Sequence, residues 1–245
     1  MNAKKFLFFP AAFACALFFS ACEGDNSVSV TKIITEGSAN ASGTPAAPDP
    51  NGNSPDQAAS EKLLVDDFED GDNKSSLGDF WYVYNDKGSG AESTIESMTV
   101  DAEGHLKPTV ADNGSKNSLN VKYTLKKGNY QYAAYVGWGV NLPADKDYSK
   151  FTAVSYRYKG GSHYIHVEIS SITDSDHYMQ SLPSAKEWTS TVVEFSKLKQ
   201  EGWGAVVPFK AEEIKALSFQ AKGPDTQDSV FIDDIYLISG TDGAK

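Results

Sequence analysis

The sequence predicts an all-β fold, a β-sandwich of the jelly-roll kind, on three observations. Short runs in which apolar and polar residues alternate recur between Leu63 and Ile238, the pattern of strands with one buried and one solvated face. Gly, Asn, Asp and Pro punctuate the gaps, as in Asn85–Gly90, Asp112–Gly114 and Lys159–Ser162. Helical periodicity is confined to single turns near Ser196–Lys199 and Ala211–Ile214. The stretch 62–240 has the length of one such sandwich.

Met1–Ala21 reads as a secretory signal: Lys4 and Lys5 supply the basic start, and Phe6–Phe19 is an apolar core too short to span a bilayer. It ends in Phe19, Ser20, Ala21 and Cys22, which resembles the bacterial lipobox with Phe in place of the usual Leu. Cys22 is thus the expected lipidation site, and more than one acyl chain there would anchor the protein stably on a membrane. The other cysteine, Cys15, lies within the signal, so the processed chain has no disulfide partner for Cys22. Residues 22–61 are rich in Ser, Ala, Gly, Pro, Asn and Asp. Such a segment cannot bury enough apolar surface to offset its ordering entropy, and is expected to be a flexible tether. Residues 241–245 form a short tail.

The folded part opens with LLVDDFEDG (63–71) and closes with SVFIDDIYLI (229–238), which read as its first and last strands. Strands that open and close a sandwich can lie side by side, bringing Asp67, Glu69 and Asp233 to one spot. Carboxylates so close repel unless a hard cation lies between them, and all-oxygen ligands suit calcium. Solvated acids that keep an edge strand from aggregating are the other reading. Between these ends, strands are predicted at Phe80–Tyr84, Ser118–Tyr123, Ala133–Asn141, 154–159, 165–170, Tyr178–Leu182, Thr191–Phe195 and Ala216–Gln220. No internal repeat is found.

A net charge of −11 excludes a nucleic-acid binder, because no basic stripe exists to displace counterions from phosphates. The 12 Tyr and 4 Trp exceed what a core of this size obviously needs. Several stand in turn-like sequence: Trp81, Tyr82 and Tyr84 before NDKGSG, Tyr135 and Trp138 in YVGWG, and Trp203 in EGWG. Flat rings with one wet edge suit stacking on sugar rings, although each has a core alternative. A stacked sugar face that loses roughly 50 Å² of apolar area gains on the order of 1 kcal/mol. A few such contacts, set against association entropy, predict affinities in about the micromolar to millimolar range.

Asp174, Asp176, His177 and Tyr178 cluster in TDSDHY, but without HxH or HExxH spacing for a transition metal. Glu168, Asp174 and Asp176 include enough carboxylates for glycoside hydrolysis, yet no spacing selects a pair. GxSxG, P-loop and GxGxxG motifs are absent.

Taken in order, LLVDDFEDG, FWYVYNDKGSG, YVGWGVNLP, DYSKFTAVSYRYKG, TDSDHY, KEWTSTVVEFSKLKQEGWG and VFIDDIYL resemble family 11 carbohydrate-binding modules, and more loosely the complex I intermediate-associated domain. Both have the galactose-binding-like jelly roll. The resemblance implies a non-catalytic module with structural calcium. Such a module binds single chains of mixed-linkage β-1,3-1,4-glucan or a cellulose-like β-glucan in a cleft on one concave sheet. By position it implies Tyr84 and Tyr135 as cleft rings and Asp174, with His177 and Tyr178 after it, as polar contacts. In LKQEGWG the family has an arginine, an aspartate and a tyrosine; this chain offers Gln200 and Trp203. A cleft aspartate of the family aligns with Lys215, and a cleft tyrosine with Ala221. Acids of the first and last strands hold calcium in related modules, which again points to Glu69 and Asp233. The resulting expectation is a monomeric, membrane-tethered lipoprotein of the bacterial cell envelope that binds β-glucan. An envelope scaffold that has lost sugar binding is the alternative, and a hydrolase the third reading.

Overall fold

The computed structural model describes residues 61–96 and 100–240. The expected signal, Cys22, the tether and the tail lie outside the described residues. Twelve strands are found among the described residues: β1 (Lys62–Asp66), β2 (Tyr82–Asn85), β3 (Thr94–Ile95), β4 (Pro108–Val110), β5 (Asn117–Leu125), β6 (Ala134–Asn141), β7 (Ala153–Gly160), β8 (His163–Ile169), β9 (Tyr178–Leu182), β10 (Ala185–Glu194), β11 (Ile214–Gly223) and β12 (Thr226–Ile238). Single 3-10 turns at Phe195–Lys197 and Ala211–Glu213 fall where helical periodicity was expected.

The strands form two antiparallel sheets. One has the order β10-β7-β12-β5-β3, with β1 also on β12 and β4 on β5; the other has the order β2-β6-β11-β8-β9. β12 organises the larger sheet. Its first half pairs with β5, Ile232 opposite Leu119, and its second half pairs with β1, Leu64 opposite Tyr236. The first and last strands therefore do lie side by side.

Along β12 the residues that join the hydrophobic core are Val230 and Ile232, then Ile235 and Leu237. Their parity changes because the register against β7 shifts between Asp233 and Tyr236, where Asp234 takes a left-handed φ of 53°. A bulge of this kind re-phases the alternation so that both halves of a long strand face one core.

That core fills the space between the sheets around Trp81, Trp138, Tyr156 and Phe219, all 2% exposed or less. Trp138 stacks on Phe219 at 6.0 Å, and Tyr156 meets Phe219 edge-on at 5.4 Å. Full burial of such large side chains contributes roughly 2–3 kcal/mol each. The Trp81 indole N–H donates to the Asp66 carboxylate at 2.6 Å. Burial pushes the pKa of Asp66 up to about 7, against the pull of that bond and of the Phe68 N–H. Trp81 and Trp138, two of the rings considered for a surface, are thus core.

Candidate functional site

The outer face of the five-stranded sheet is a cleft of about 940 Å³. Strand alternation places Tyr82 and Tyr84 (β2), Tyr135 (β6), Ser218, Gln220 and Lys222 (β11) and His166 and Glu168 (β8) on that face. Four adjacent strands contribute, so the floor spans three strand spacings, about 14 Å, before its rims are counted. Tyr84 pairs with Gly137 and Tyr82 with Gly139 across β2 and β6. The Tyr84 ring lies over the bare Gly137 backbone and brings its hydroxyl to Ser218 and Gln220 on the next strand. A run of neighbouring rings continues from it, Tyr135 at 6.3 Å, then Tyr130 at 6.4 Å and Tyr132 at 5.5 Å. Asp86 anchors this end: buried, it accepts the Tyr135 N–H at 2.7 Å and the Ser93 hydroxyl at 2.8 Å.

The opposite rim is the loop 200–207, which carries Trp203, 61% exposed. Asp176, 1% exposed, accepts the N–H groups of Glu201, Gly202 and Gly204 at 2.9, 3.0 and 3.0 Å. Asp174 accepts Ala205 N–H at 2.6 Å and Asp176 N–H at 3.1 Å. Gly202 has a left-handed φ of 90°, and a Cβ at Gly204 would lie 2.5 Å from the Asp174 carboxylate. The glycines of EGWG are therefore needed for the loop to wrap the two aspartates.

Charge in the cleft is modest and largely paired. Lys222 donates to Glu201 at 2.8 and 3.1 Å, and Glu201 also accepts the Trp203 indole N–H at 3.2 Å. Burial alone would raise the Glu201 carboxyl, but Lys222 and Trp203 hold it below its ordinary value. Glu168 accepts from Ser218 at 2.8 Å and lies 3.4 Å from His177. Burial pushes His166 down to about 4, helped by the neighbouring His177. Burial also lowers His177, against the pull of Glu168. Both imidazoles are thus neutral at pH 7. Among the described residues, His166 Nε2 and His177 Nδ1 have no hydrogen-bond partner.

Comparison with known proteins adds to this geometry. No family profile matches the chain. Over 185 residues, 74% of the chain, it is 45% identical to endoglucanase 3 of Fibrobacter succinogenes, and spans 28% of the length of that curated relative. Among solved structures, the solution structure of a family 11 carbohydrate-binding module superposes with a TM-score of 0.50, covering 76% of this chain and 99% of that one at 20% identity. The chain has the family 11 carbohydrate-binding-module fold. A family 11 module from Clostridium thermocellum, solved with a β-1,3-1,4-mixed-linked tetrasaccharide, superposes at 0.49 with 19% identity, over 73% of this chain and 96% of that one.

Within this fold the expected site residues divide. Tyr84, Tyr135, His177 and Trp203 line the cleft together. Tyr178 does not: β9 pairs it with the inward-facing Val167, and its ring packs edge-on to Phe209 while its hydroxyl donates to the Val207 carbonyl at 2.7 Å. Asp174 and Gln200 are occupied holding the loop. The Gln200 amide donates to the Asp176 and Ala205 carbonyls and accepts from Val207 N–H. Ala221 faces the core between the sheets, so at that point of β11 it is its neighbours Gln220 and Lys222 that face the cleft. Tyr82, Tyr130, Tyr132, His166, Glu168, Ser218, Gln220, Lys222 and Glu201 are additional members of the lining. Register was the missing signal for most of them: the alternate Gly137 and Gly139 mark an outer face left bare for a neighbour's rings.

Asp67, Glu69 and Asp233, the expected calcium ligands, each accept protein donors. β1 ends at Asp66, and Phe68 takes a left-handed φ of 58°. Asp67 then accepts the Glu69 N–H at 3.2 Å, while Glu69 accepts the N–H groups of Lys116 and Asn117 at 2.8 and 3.1 Å. Asp233, on β12, accepts from Asn113 at 2.7 Å and Ser115 at 2.8 Å. Among the described residues no three acidic, histidine or cysteine side chains gather in one cluster that could hold a metal ion.

Proposed function

We propose that this protein is a non-catalytic carbohydrate-binding module that grips β-glucan chains, mixed-linkage β-1,3-1,4-glucan or cellulose-like, along the cleft of the five-stranded sheet. The observation that carries the reading is the lining: Tyr82, Tyr84, Tyr130, Tyr132, Tyr135 and Trp203 surround a floor of Ser218, Gln220, His166 and Glu168. Rings take the apolar faces of sugars, and the interleaved polar groups exchange hydrogen bonds with hydroxyls. A cleft reaching across four strands suits several linked sugars better than one. The family 11 fold supports the reading. The motifs around Cys22 support export and lipid attachment at the bacterial envelope, with the 22–61 stretch giving reach.

The test is affinity electrophoresis of the purified protein through gels containing mixed-linkage β-glucan, xyloglucan, xylan or hydroxyethyl cellulose, with Tyr135→Ala as control. Retardation by a β-glucan that is lost in the control is the expected result. No retardation in any gel would sink the reading in favour of an envelope-interaction role. Sustained release of reducing ends from the same glucan would replace binding by hydrolysis.

A further inference from the structure

Gly137 and Gly139 occupy alternate positions of β6 and both face the cleft. Neither has a positive φ, so the backbone itself does not require glycine there. What requires it is space. A Cβ built on Gly137 would lie 2.0 Å from Tyr84 Cζ, 2.3 Å from its hydroxyl oxygen and 2.4 Å from Cε1. All three nearest atoms belong to one ring, and none to backbone. At Gly139 the corresponding Cβ would lie 2.7 Å from the Tyr82 hydroxyl but also 2.8 Å from the Leu217 carbonyl oxygen, so the neighbouring strand as well as the ring fills that space.

We propose that Gly137 is a positioning residue of the glucan cleft: by having no side chain it lets Tyr84 lie down across β6 and serve as the floor on which a sugar ring stacks. The proposal rests on the glucan-binding reading above. The ring spans β6. Its backbone is paired with Gly137, and its hydroxyl reaches Ser218 and Gln220 on β11. It therefore bridges the strand between, and only a glycine leaves that strand low enough. One added methyl group cannot coexist with the ring in this pose, so an alanine must tip Tyr84 upward into the volume meant for the ligand. The two cleft neighbours of the ring, Tyr82 at 6.4 Å and Tyr135 at 6.3 Å, would then frame an obstruction rather than a platform. Position 137 thus sets the depth of the cleft and the presentation of its central ring, while touching ligand little itself.

The experiment is a double-mutant cycle on the purified protein, comparing wild type, Gly137→Ala, Tyr84→Ala and the double variant. Mixed-linkage β-glucan oligosaccharide binding is read by calorimetry and folding by melting temperature. Gly137→Ala is expected to weaken binding at least tenfold in the wild-type background, and not to weaken Tyr84→Ala further, because the clash needs the ring. Its cost in melting temperature should likewise vanish when Tyr84 is absent, which keeps the test decisive should the single variant fold poorly. Wild-type affinity in Gly137→Ala would overturn the proposal. So would an equal additional loss in the Tyr84→Ala background, which would mean that the alanine acts through the strand. Failure of the wild type itself to bind any β-glucan would overturn the functional reading on which the proposal stands.

Discussion

Asp176→Ala tests whether the Trp203 rim is pre-organised by a buried carboxylate. The wild-type side chain accepts three backbone N–H groups from Glu201, Gly202 and Gly204. Bonds to a charged acceptor are worth roughly 1.5–3 kcal/mol each in net terms. Three would give an upper bound near 5–9 kcal/mol, but Glu201 and Gly202 lie at the surface and Gly204 is part-exposed, so released N–H groups can turn to water. About 2–4 kcal/mol is therefore the working figure for the loop, lost mainly as local order. Trp203 then pays its ordering entropy on binding, and about 1.4 kcal/mol of such cost weakens affinity roughly tenfold. Hydrogen exchange at Gly202 and Gly204 should accelerate, and retardation in a β-glucan gel should decrease, while the core strands keep their protection. Asp176→Asn, which retains one acceptor oxygen, should fall between. Unchanged exchange at these amides together with unchanged affinity would refute the argument.

Two further outcomes follow from the charges. His163 is buried against Tyr158 and Phe219, accepts from the Tyr156 hydroxyl at 3.0 Å and places its other nitrogen 3.2 Å from the Gly161 carbonyl. Burial pushes it down to about 4. The unfolded chain takes up the proton near pH 6.5 and the folded one only near 4, so this contribution is complete above 6.5 and declines as pH falls toward 4. Asp66, raised to about 7 by burial, acts oppositely, its contribution being present at low pH and declining as pH rises from about 4 to 7. The wild type should therefore lose more melting temperature between pH 7 and 4.5 than His163→Phe, in which Asp66 is unchanged; equal losses would count against the assignment. For the acids near the chain ends, protein donors already occupy Asp67, Glu69 and Asp233, so EDTA should leave the melting temperature unchanged. A fall of several degrees, reversed by added calcium, would restore the cation.

The sandwich was readable because alternation, turn residues and the matched end strands all pointed the same way, and the β1–β12 pairing follows from those two sequences. Much of the cleft was readable through Tyr84, Tyr135 and Trp203, rings beside glycines in turn-like sequence. What could not be read was parity. Tyr178 and Tyr135 look alike along the chain, but β9 pairs with β8 in a register that sends Tyr178 inward, and one residue of slip would have sent it out. The same blindness covers Ala221, whose neighbours on either side face the cleft while it faces the core.

A second ambiguity is chemical. A carboxylate that accepts a backbone N–H is written in sequence as one that accepts a sugar hydroxyl or a calcium ion, because all three need the same oxygens. Asp174, Asp176, Glu69 and Asp233 all accept protein donors in this fold. The turn TDSDHY and the loop EGWG are in this sense one device, separated by more than twenty residues. Two aspartates collect the N–H groups that the glycines leave exposed, and the tryptophan between those glycines is held at the rim as a result. Substitution of either aspartate should therefore act on sugar binding through Trp203 rather than through lost hydroxyl contacts. Its effect should be small when Trp203 has already been replaced by alanine.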